Sequence, residues 1–379
     1  MRLLHINCNY IGTTLHQLMI ESLNDIGYEN TVFVPVYDKK LSVIKPNNNV
    51  IVSECFKKWD RLFFDYKQRK ILKSLESIIE VKNFNLIHAY TLFTDGNCAR
   101  NLFKKYRIPY VVAVRNTDVN TFFHLRPHLR NRGVKIMLDA ESVFFLSESY
   151  MNQVFEKYIP NKYYNEIRKK SHIIPNGIDD FWFLNKPNCD NKIKNIIKLI
   201  YAGRIDSNKN IITTQKAMAI LNKRGYKVSL TIVGKVADKK VFNRIVNDKN
   251  TEYLPAQTKE LLLELYRKHN IFIMPSFKET FGLVYVEALS QGLPIIYSKG
   301  QGFDNQFPEG TVGYHVAAND ARDVADGIEK IINKFYEISK NTISYSKKFN
   351  WKEISLKYDE IYKKIALKTK WIINYQIKL

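Results

Sequence analysis

Two carboxylates, Glu279 and Glu287, flank the stretch Thr280-Phe281-Gly282-Leu283 within PSFKETFGLVYVEALSQGLPII, residues 275–296. A carboxylate accepts hydrogen bonds from paired hydroxyls, and sugar and ribose rings both offer such pairs. The apolar run 271–274 ends at Pro275-Ser276, as a buried strand does on entering a loop. A helix is expected to open at about Phe281-Gly282, with Thr280 as its N-cap. Gly292 and Pro294 stop it, and residues 293–297 begin the next strand. A strand–loop–helix–strand unit sets the helix N–H groups and positive dipole end at the carboxyl edge of a parallel sheet, where phosphate binds. Gly282 has no Cβ to hold a ligand away from the backbone. An anion-binding backbone between two hydroxyl acceptors suits a nucleotide-sugar. The same acids also fit a solvated helix residue and a loop charge, so the rest of the chain has to decide.

Those residues have a family pattern. E-x7-E enclosing F-G-L, preceded by P-S and followed by G-L-P-I-I, resembles the retaining glycosyltransferases of the GT-B fold, in particular glycosyltransferase family 4. The resemblance implies that a diphosphate meets the helix start at Thr280, Phe281, Gly282 and Leu283. It implies further that Glu287 holds the ribose hydroxyls and that Glu279 contacts the donor sugar. I-P-N-G-I-D at 174–179, the strand 228–233 with Gly234, and residues 252–255 are similar to other family stretches, the last lying near the nucleobase there. Gly203-Arg204 at a strand end and Lys209 before a helix match the family's cation pattern. The nucleoside diphosphate gains charge as the glycosidic bond breaks, so two fixed cations stabilise the transition state more than the ground state. A structural ion pair is the other use for Arg204.

The first half matches less closely. A strand at 3–7 runs through a turn at 9–14 into a helix and a second strand at 31–36. Gly12 stands alone where the family usually carries paired glycines at the acceptor and donor phosphate. His88 ends a strand at 86–89 and matches the family's first histidine, although a core histidine fits it equally well. After the strand 109–114 come Arg115, Asn116, Thr117 and Asp118. Asp118 matches the family's acid, and Arg115 replaces its histidine. Arg115 is always charged and cannot act as a base, but it could neutralise a phosphate or an acceptor carboxylate.

Residues 56–79, FKKWDRLFFDYKQRKILKSLESII, are expected to form one long helix in which cations alternate with Trp59, Phe63, Phe64 and Tyr66. Two readings fit: docking on an anionic bilayer, or core aromatics with a solvated lysine face. A basic stretch follows at Arg126, His128, Arg130, Arg132 and Lys135. In the second half, residues 185–195 read as the interdomain connection, 320–336 as a helix, and 351–367 as a closing helix with Tyr358, Ile361 and Tyr362 on one face.

With 379 residues the chain can build two domains. Its 59 Lys and Arg against 37 acids, formally +22, form a field that should attract a polyanion unless they are a bias spread over the surface. No apolar run reaches membrane-spanning length. The N-terminus lacks the pattern of a secretory signal, and Cys8, Cys55, Cys98 and Cys189 show no metal spacing, as in a reducing cytoplasm.

The expectation is an α/β, GT-B enzyme: two Rossmann-like domains facing across a deep cleft. Residues 1–176 would bind the acceptor, 177–350 the nucleotide-sugar, and 351–379 would pack back on the first domain. The reaction would move a hexosyl unit from a UDP- or GDP-sugar to an acceptor hydroxyl with retention. Glu279, Arg204, Lys209, His88 and Asp118 would be catalytic, Gly12 would join the donor site, and His88, Arg115 and Asn116 would face the acceptor. No metal or further cofactor is expected. The acceptor would be a glycan or lipid-linked glycan of cell-surface polysaccharide synthesis, met in the cytoplasm or on the inner membrane face through 56–79. Rivals are an inverting transferase or epimerase on nucleotide-sugars. A nucleic-acid-binding protein is a further rival, without zinc spacing, RNA-binding motif or helix-turn-helix to support it.

Overall fold

The computed structural model describes residues 1–38, 49–187 and 193–376, with side chains up to residue 368. Cys189, residues 188–192 of the expected connection, and 377–379 lie outside the described residues. The chain divides into two compact units. The first contains Met1–Leu146, Met151–Pro175 and Trp351–Leu379, and the second Ser147–Tyr150 and Asn176–Asn350. Ser147–Tyr150 thus groups with the second unit, although it precedes residue 177.

The first unit is built on a seven-stranded sheet from β1 (Arg2–Ile6), β2 (Glu29–Val36), β3 (Val50–Glu54), β4 (Leu86–Ala89), β5 (Tyr110–Ala113), β6 (Ser142–Phe145) and β7 (Ser171–Ile173), in the order β3-β2-β1-β4-β5-β6-β7. The second holds a six-stranded sheet from β8 (Ile197–Ala202), β9 (Val228–Val233), β10 (Thr251–Leu254), β11 (Ile271–Ile273), β12 (Ile295–Ser298) and β13 (Gly313–Val316), in the order β10-β9-β8-β11-β12-β13. The strand pairs are parallel, Ile271 lying opposite Leu199 and Leu3 opposite Leu86. Parallel strands are covered on both faces by their crossover helices, and the central ones are accordingly apolar throughout, as in LIYA at 199–202. Each sheet reverses direction of winding once, between β1 and β4 and between β8 and β11. Such a switch point leaves a crevice at the carboxyl ends of the strands.

The closing helix, Trp351–Gln376, belongs to the first unit. Its buried Trp351, Ile354, Tyr358 and Tyr362 share a core cluster with Leu3, Met19, Leu23 and Tyr90. The Tyr28 hydroxyl donates to Asp359 at 2.7 Å, and Ser22 donates to Ser355 at 3.0 Å.

Several expected elements differ. Residues 56–79 are not one helix: a 3-10 turn, Lys58–Leu62, precedes the helix Phe64–Ile78. The buried Asp60 carboxylate accepts from the Lys57 N–H at 2.8 Å and from Lys70 Nζ at 2.7 Å, which closes the turn. Phe63, at φ −110° and ψ 86°, then leaves helical geometry. Residues 320–336 divide into the helices Ala321–Asn333 and Phe335–Ser346. The helices Arg130–Asp139, Asn161–Lys169 and Lys239–Ile245 occupy stretches whose charge concealed a short buried face, and the short apolar strand β3 is a further element.

Candidate active site

At the switch point of the second sheet, the loop after β8 meets the loop after β11. Asn208 ties them together: its Nδ2 donates to the Lys278 carbonyl at 2.9 Å, its Oδ1 accepts from the Lys278 N–H at 3.0 Å, and its carbonyl accepts from the Phe277 N–H at 2.9 Å. Asn210 begins the helix Ile211–Lys223 in a left-handed conformation and donates to the Pro275 carbonyl at 3.0 Å. This stitching brings Lys209 against Glu279, with Nζ donating to Oε2 at 2.6 Å and both side chains mostly buried. The other Glu279 oxygen accepts from the Thr280 N–H at 3.0 Å. Arg204 stands further out. Its Nε donates to Asp206 at 2.8 Å while the side chain is 67% exposed, so most of the guanidinium faces solvent.

The helix after β11 runs Leu283–Ser290, two residues later than the sequence suggests, and its cap is Gly282 rather than Thr280. Thr280 is committed elsewhere: its N–H goes to Glu279, and its backbone carries the close approach of Gly302, where a Cβ would sit 1.6 Å from the Thr280 carbonyl oxygen. Gly302 in turn donates to the Glu279 carbonyl at 2.8 Å. Gly282 has φ +77°, a conformation that favours glycine, and a Cβ there would strike the Tyr285 ring. Leu283 and Val284 hold the first helical N–H groups, which have no carbonyl one turn back to bind. They are half-buried at the helix mouth. The Phe281 side chain is not at this mouth. It is buried against Phe303 and Phe349, with ring centroids 5.9 and 5.6 Å away, so only its backbone can meet a ligand.

Glu287 lies one turn further along the helix. Burial pushes its carboxyl up to about 7, against the pull of Lys259 and with the repulsion of Asp179 added. Lys259 and Asp179 form an ion pair. Neither is among the expected site residues: Asp179 ends the I-P-N-G-I-D stretch, and Lys259 opens the helix Lys259–Lys268.

In the first unit the expected residues separate. His88 is fully buried within β4, its Nδ1 2.7 Å from the Tyr362 hydroxyl and its ring stacked on Tyr90 at 4.4 Å. Burial, then the nearby His5 and the Arg115 cation, keep it neutral. In this structure His88 packs as a core side chain and does not line the surface expected to meet the acceptor. Arg115 turns inward as well. Its Nε is buried, and its guanidinium is hydrogen-bonded to the Tyr358 hydroxyl of the closing helix. Asn116 is exposed and accepts from Asn120. The carboxylate of Asp118 is filled by backbone, accepting from the N–H groups of Leu92, Phe93 and Arg115 at 3.0, 3.1 and 2.8 Å, and burial raises its pKa to about 6. It fixes the loop after β4. Gly12 ends a 3-10 turn, and a Cβ there would meet nothing within 4 Å, so no phosphate-shaped need for glycine is visible.

Among the described residues no cluster of three or more His, Cys, Asp or Glu is placed to hold a metal ion. No described helix is long and apolar enough to cross a membrane.

The fold resembles known proteins. The chain superposes on sucrose-phosphate synthase from Thermosynechococcus elongatus with a TM-score of 0.76 at 19% identity, covering 96% of this chain and 98% of that one. It superposes on Anabaena HepE, solved with UDP and glucose, with a TM-score of 0.68 at 15% identity over 96% and 100% of the two chains. This is a two-domain α/β protein with the GT-B fold. Residues 186–349, within the second unit, match the family model described as glycosyl transferases group 1. A D-inositol 3-phosphate glycosyltransferase of Pseudarthrobacter chlorophenolicus is 33% identical over 141 residues, 35% of this chain; the match spans about a third of that relative, 34%.

Proposed function

We propose that the chain is a retaining glycosyltransferase that moves a hexosyl unit from a nucleoside-diphosphate sugar to an acceptor hydroxyl. The observation that supports this most is the Lys209–Glu279 contact beside the open helix mouth at Leu283 and Val284. A pyrophosphate seated there would take hydrogen bonds from the helix N–H groups, with Lys209 and the exposed Arg204 guanidinium neutralising the charge that grows on it. Glu279, released in part from Lys209, would hold the sugar hydroxyls, and Glu287 those of the ribose. The departing phosphate would itself accept the acceptor's proton, so no dedicated base is needed. The cations and helix dipole would also serve without a metal ion, and turnover in EDTA tests that point. Binding of a UDP-type donor is also supported by HepE, a fold neighbour solved with UDP.

A thermal-shift screen of UDP, GDP and ADP, followed by donor hydrolysis assays, tests the assignment. Glu279→Ala and Arg204→Ala should each reduce donor turnover greatly with unchanged far-UV circular dichroism; wild-type turnover in either removes that residue. An inverted anomer in the product, read by NMR, would reject retention.

The acceptor would be a cell-surface glycan or a lipid-linked one, met at the inner face of an anionic membrane. Trp59, Leu62, Phe63 and Tyr66 are all exposed around the Lys58–Leu62 turn, an apolar tip among Lys57, Lys58, Arg61 and Arg69. Such a tip inserts while its cations meet anionic headgroups. Flotation with anionic liposomes should show salt-sensitive binding that Trp59→Ser/Phe63→Ser abolishes, and no binding would reject it.

A further inference from the structure

The first unit contains a cavity of about 610 Å³ at the carboxyl edge of its own sheet, within the range of small-molecule sites. Three cations line it: Arg61 from the 3-10 turn, Lys67 from the helix Phe64–Ile78, and Arg126 after β5. Their neighbours Lys70 and Arg132 are paired with Asp60 and Asp65, whereas none of these three forms an ion pair with a carboxylate among the described residues. Lys67 and Arg126 instead rest over the rings of Phe56 and Phe122, at 4.8 and 5.2 Å. Aromatic rings position a cation without neutralising it.

Asp118 lines the cavity and Asp95 lies beside it; Asp95 attracts Lys67, but neither acid forms an ion pair with the three cations among the described residues. Asp118 is filled by three backbone N–H groups. Asp95 is buried, accepts from the Thr91 hydroxyl at 3.0 Å and from the Cys8 N–H, and burial pushes its pKa up to about 7. Burial also holds the Lys67 ammonium below the ordinary lysine value, against the pull of Cys8 and Asp95 and with the charge of Arg61 added. Three like charges facing one concavity, none in an ion pair among the described residues, repel one another and favour a multiply charged anion. Threonine hydroxyls at 94 and 121 supply uncharged donors around them.

We propose that this cavity is a phosphate-binding acceptor subsite: Lys67, Arg61 and Arg126 grip a phosphate monoester or diester that the acceptor carries. Naming the occupant an acceptor rests on the transferase function proposed above; the phosphate affinity does not. A charged acceptor group held here would leave the sugar hydroxyl as the part free to react. The cations lay in sequence stretches that read only as generally basic, and it is the fold that aims three of them into one cavity.

The test uses the full chain with D-glucose 6-phosphate, geranyl phosphate and D-glucose as probes in calorimetric titrations, with and without saturating UDP. Both phosphates, or one of them, should bind while D-glucose does not. Lys67→Met and Arg126→Met should each weaken that binding by about tenfold or more, with UDP affinity retained, and Lys67→Arg should restore most of it. Tighter binding of D-glucose 6-phosphate assigns a soluble phosphorylated acceptor, and tighter binding of geranyl phosphate a lipid-borne one. D-glucose binding as tightly as the phosphates, variants matching the wild type, or displacement of the probes by UDP would each overturn the proposal. If UDP fails to bind while D-glucose 6-phosphate still does, the donor assignment falls and the phosphate subsite stands.

Discussion

Glu287→Gln should make the protein more stable and less able to hold nucleotide, and the two effects should depend on pH in a defined way. Burial raises the Glu287 carboxyl from 4.5 to about 7. The folded state therefore favours the protonated acid, and the associated stability is fully present below about pH 4.5 and lost as pH rises through 7. At about 1.4 kcal/mol per unit, the ionised carboxylate costs the fold on the order of 2–3 kcal/mol at pH 8, and under about 1 kcal/mol at pH 5. Glutamine avoids this cost while keeping the shape. In urea titrations the variant should exceed the wild type by about 2–3 kcal/mol at pH 8, with the gap nearly closed at pH 5. On the function proposed above, the carboxylate would bind ribose. Replacing charge-assisted hydrogen bonds by neutral ones at about 1.5–3 kcal/mol should weaken UDP roughly 10- to 100-fold at pH 8. Wild-type affinity should rise between pH 6 and 8, and the variant's should stay flat. A stability gap equal at the two pH values, or UDP affinity within twofold of wild type, would refute this account of Glu287.

Lys209→Met strands a mostly buried carboxylate, so it should cost about 3 kcal/mol of stability, whereas Lys209→Met/Glu279→Gln should recover much of it without recovering turnover; a double-mutant cycle in urea checks both. Gly302→Ala forces its Cβ into the Thr280 backbone; donor turnover should fall by more than 100-fold, and a melting temperature and turnover both at wild-type values would exclude that packing. His88→Asn should cost about 2–4 kcal/mol of stability through the lost stacking and Tyr362 contact. Its kcat per folded molecule should remain near wild type, since an abolished kcat in a folded variant would restore His88 to the chemistry.

The second unit was legible because its site is written in consecutive short motifs. Glu279, Gly282 and Glu287 fall on one loop and one helix, and Gly203-Arg204 and Lys209 on the neighbouring loop, so local pattern and spatial position nearly coincide. What the pattern could not show was the stitching by Asn208 and Asn210, whose partners are about 70 residues away in sequence, or the Asp179–Lys259 pair beside Glu287. The helix starts later because Gly282 takes the cap position, while the Thr280 backbone is held by Glu279 and lies against Gly302, far along the chain. The first unit was read less well for the same physical reason. His88 and Arg115 stand at strand ends and therefore look like site residues. The closing helix, more than 230 residues later, brings Tyr358 and Tyr362 over them and seals them into the core. Likewise Phe56–Ile79 has the composition of a continuous helix, and the break arises from one buried aspartate whose partners include Lys70, ten residues away.

A structure of the chain with UDP bound decides the central claim most directly. The diphosphate should lie on the N–H groups of Leu283 and Val284 with Lys209 and Arg204 beside it, and the ribose hydroxyls should reach the Glu287 carboxylate. UDP bound away from that helix mouth, or its ribose out of reach of Glu287, would contradict the account.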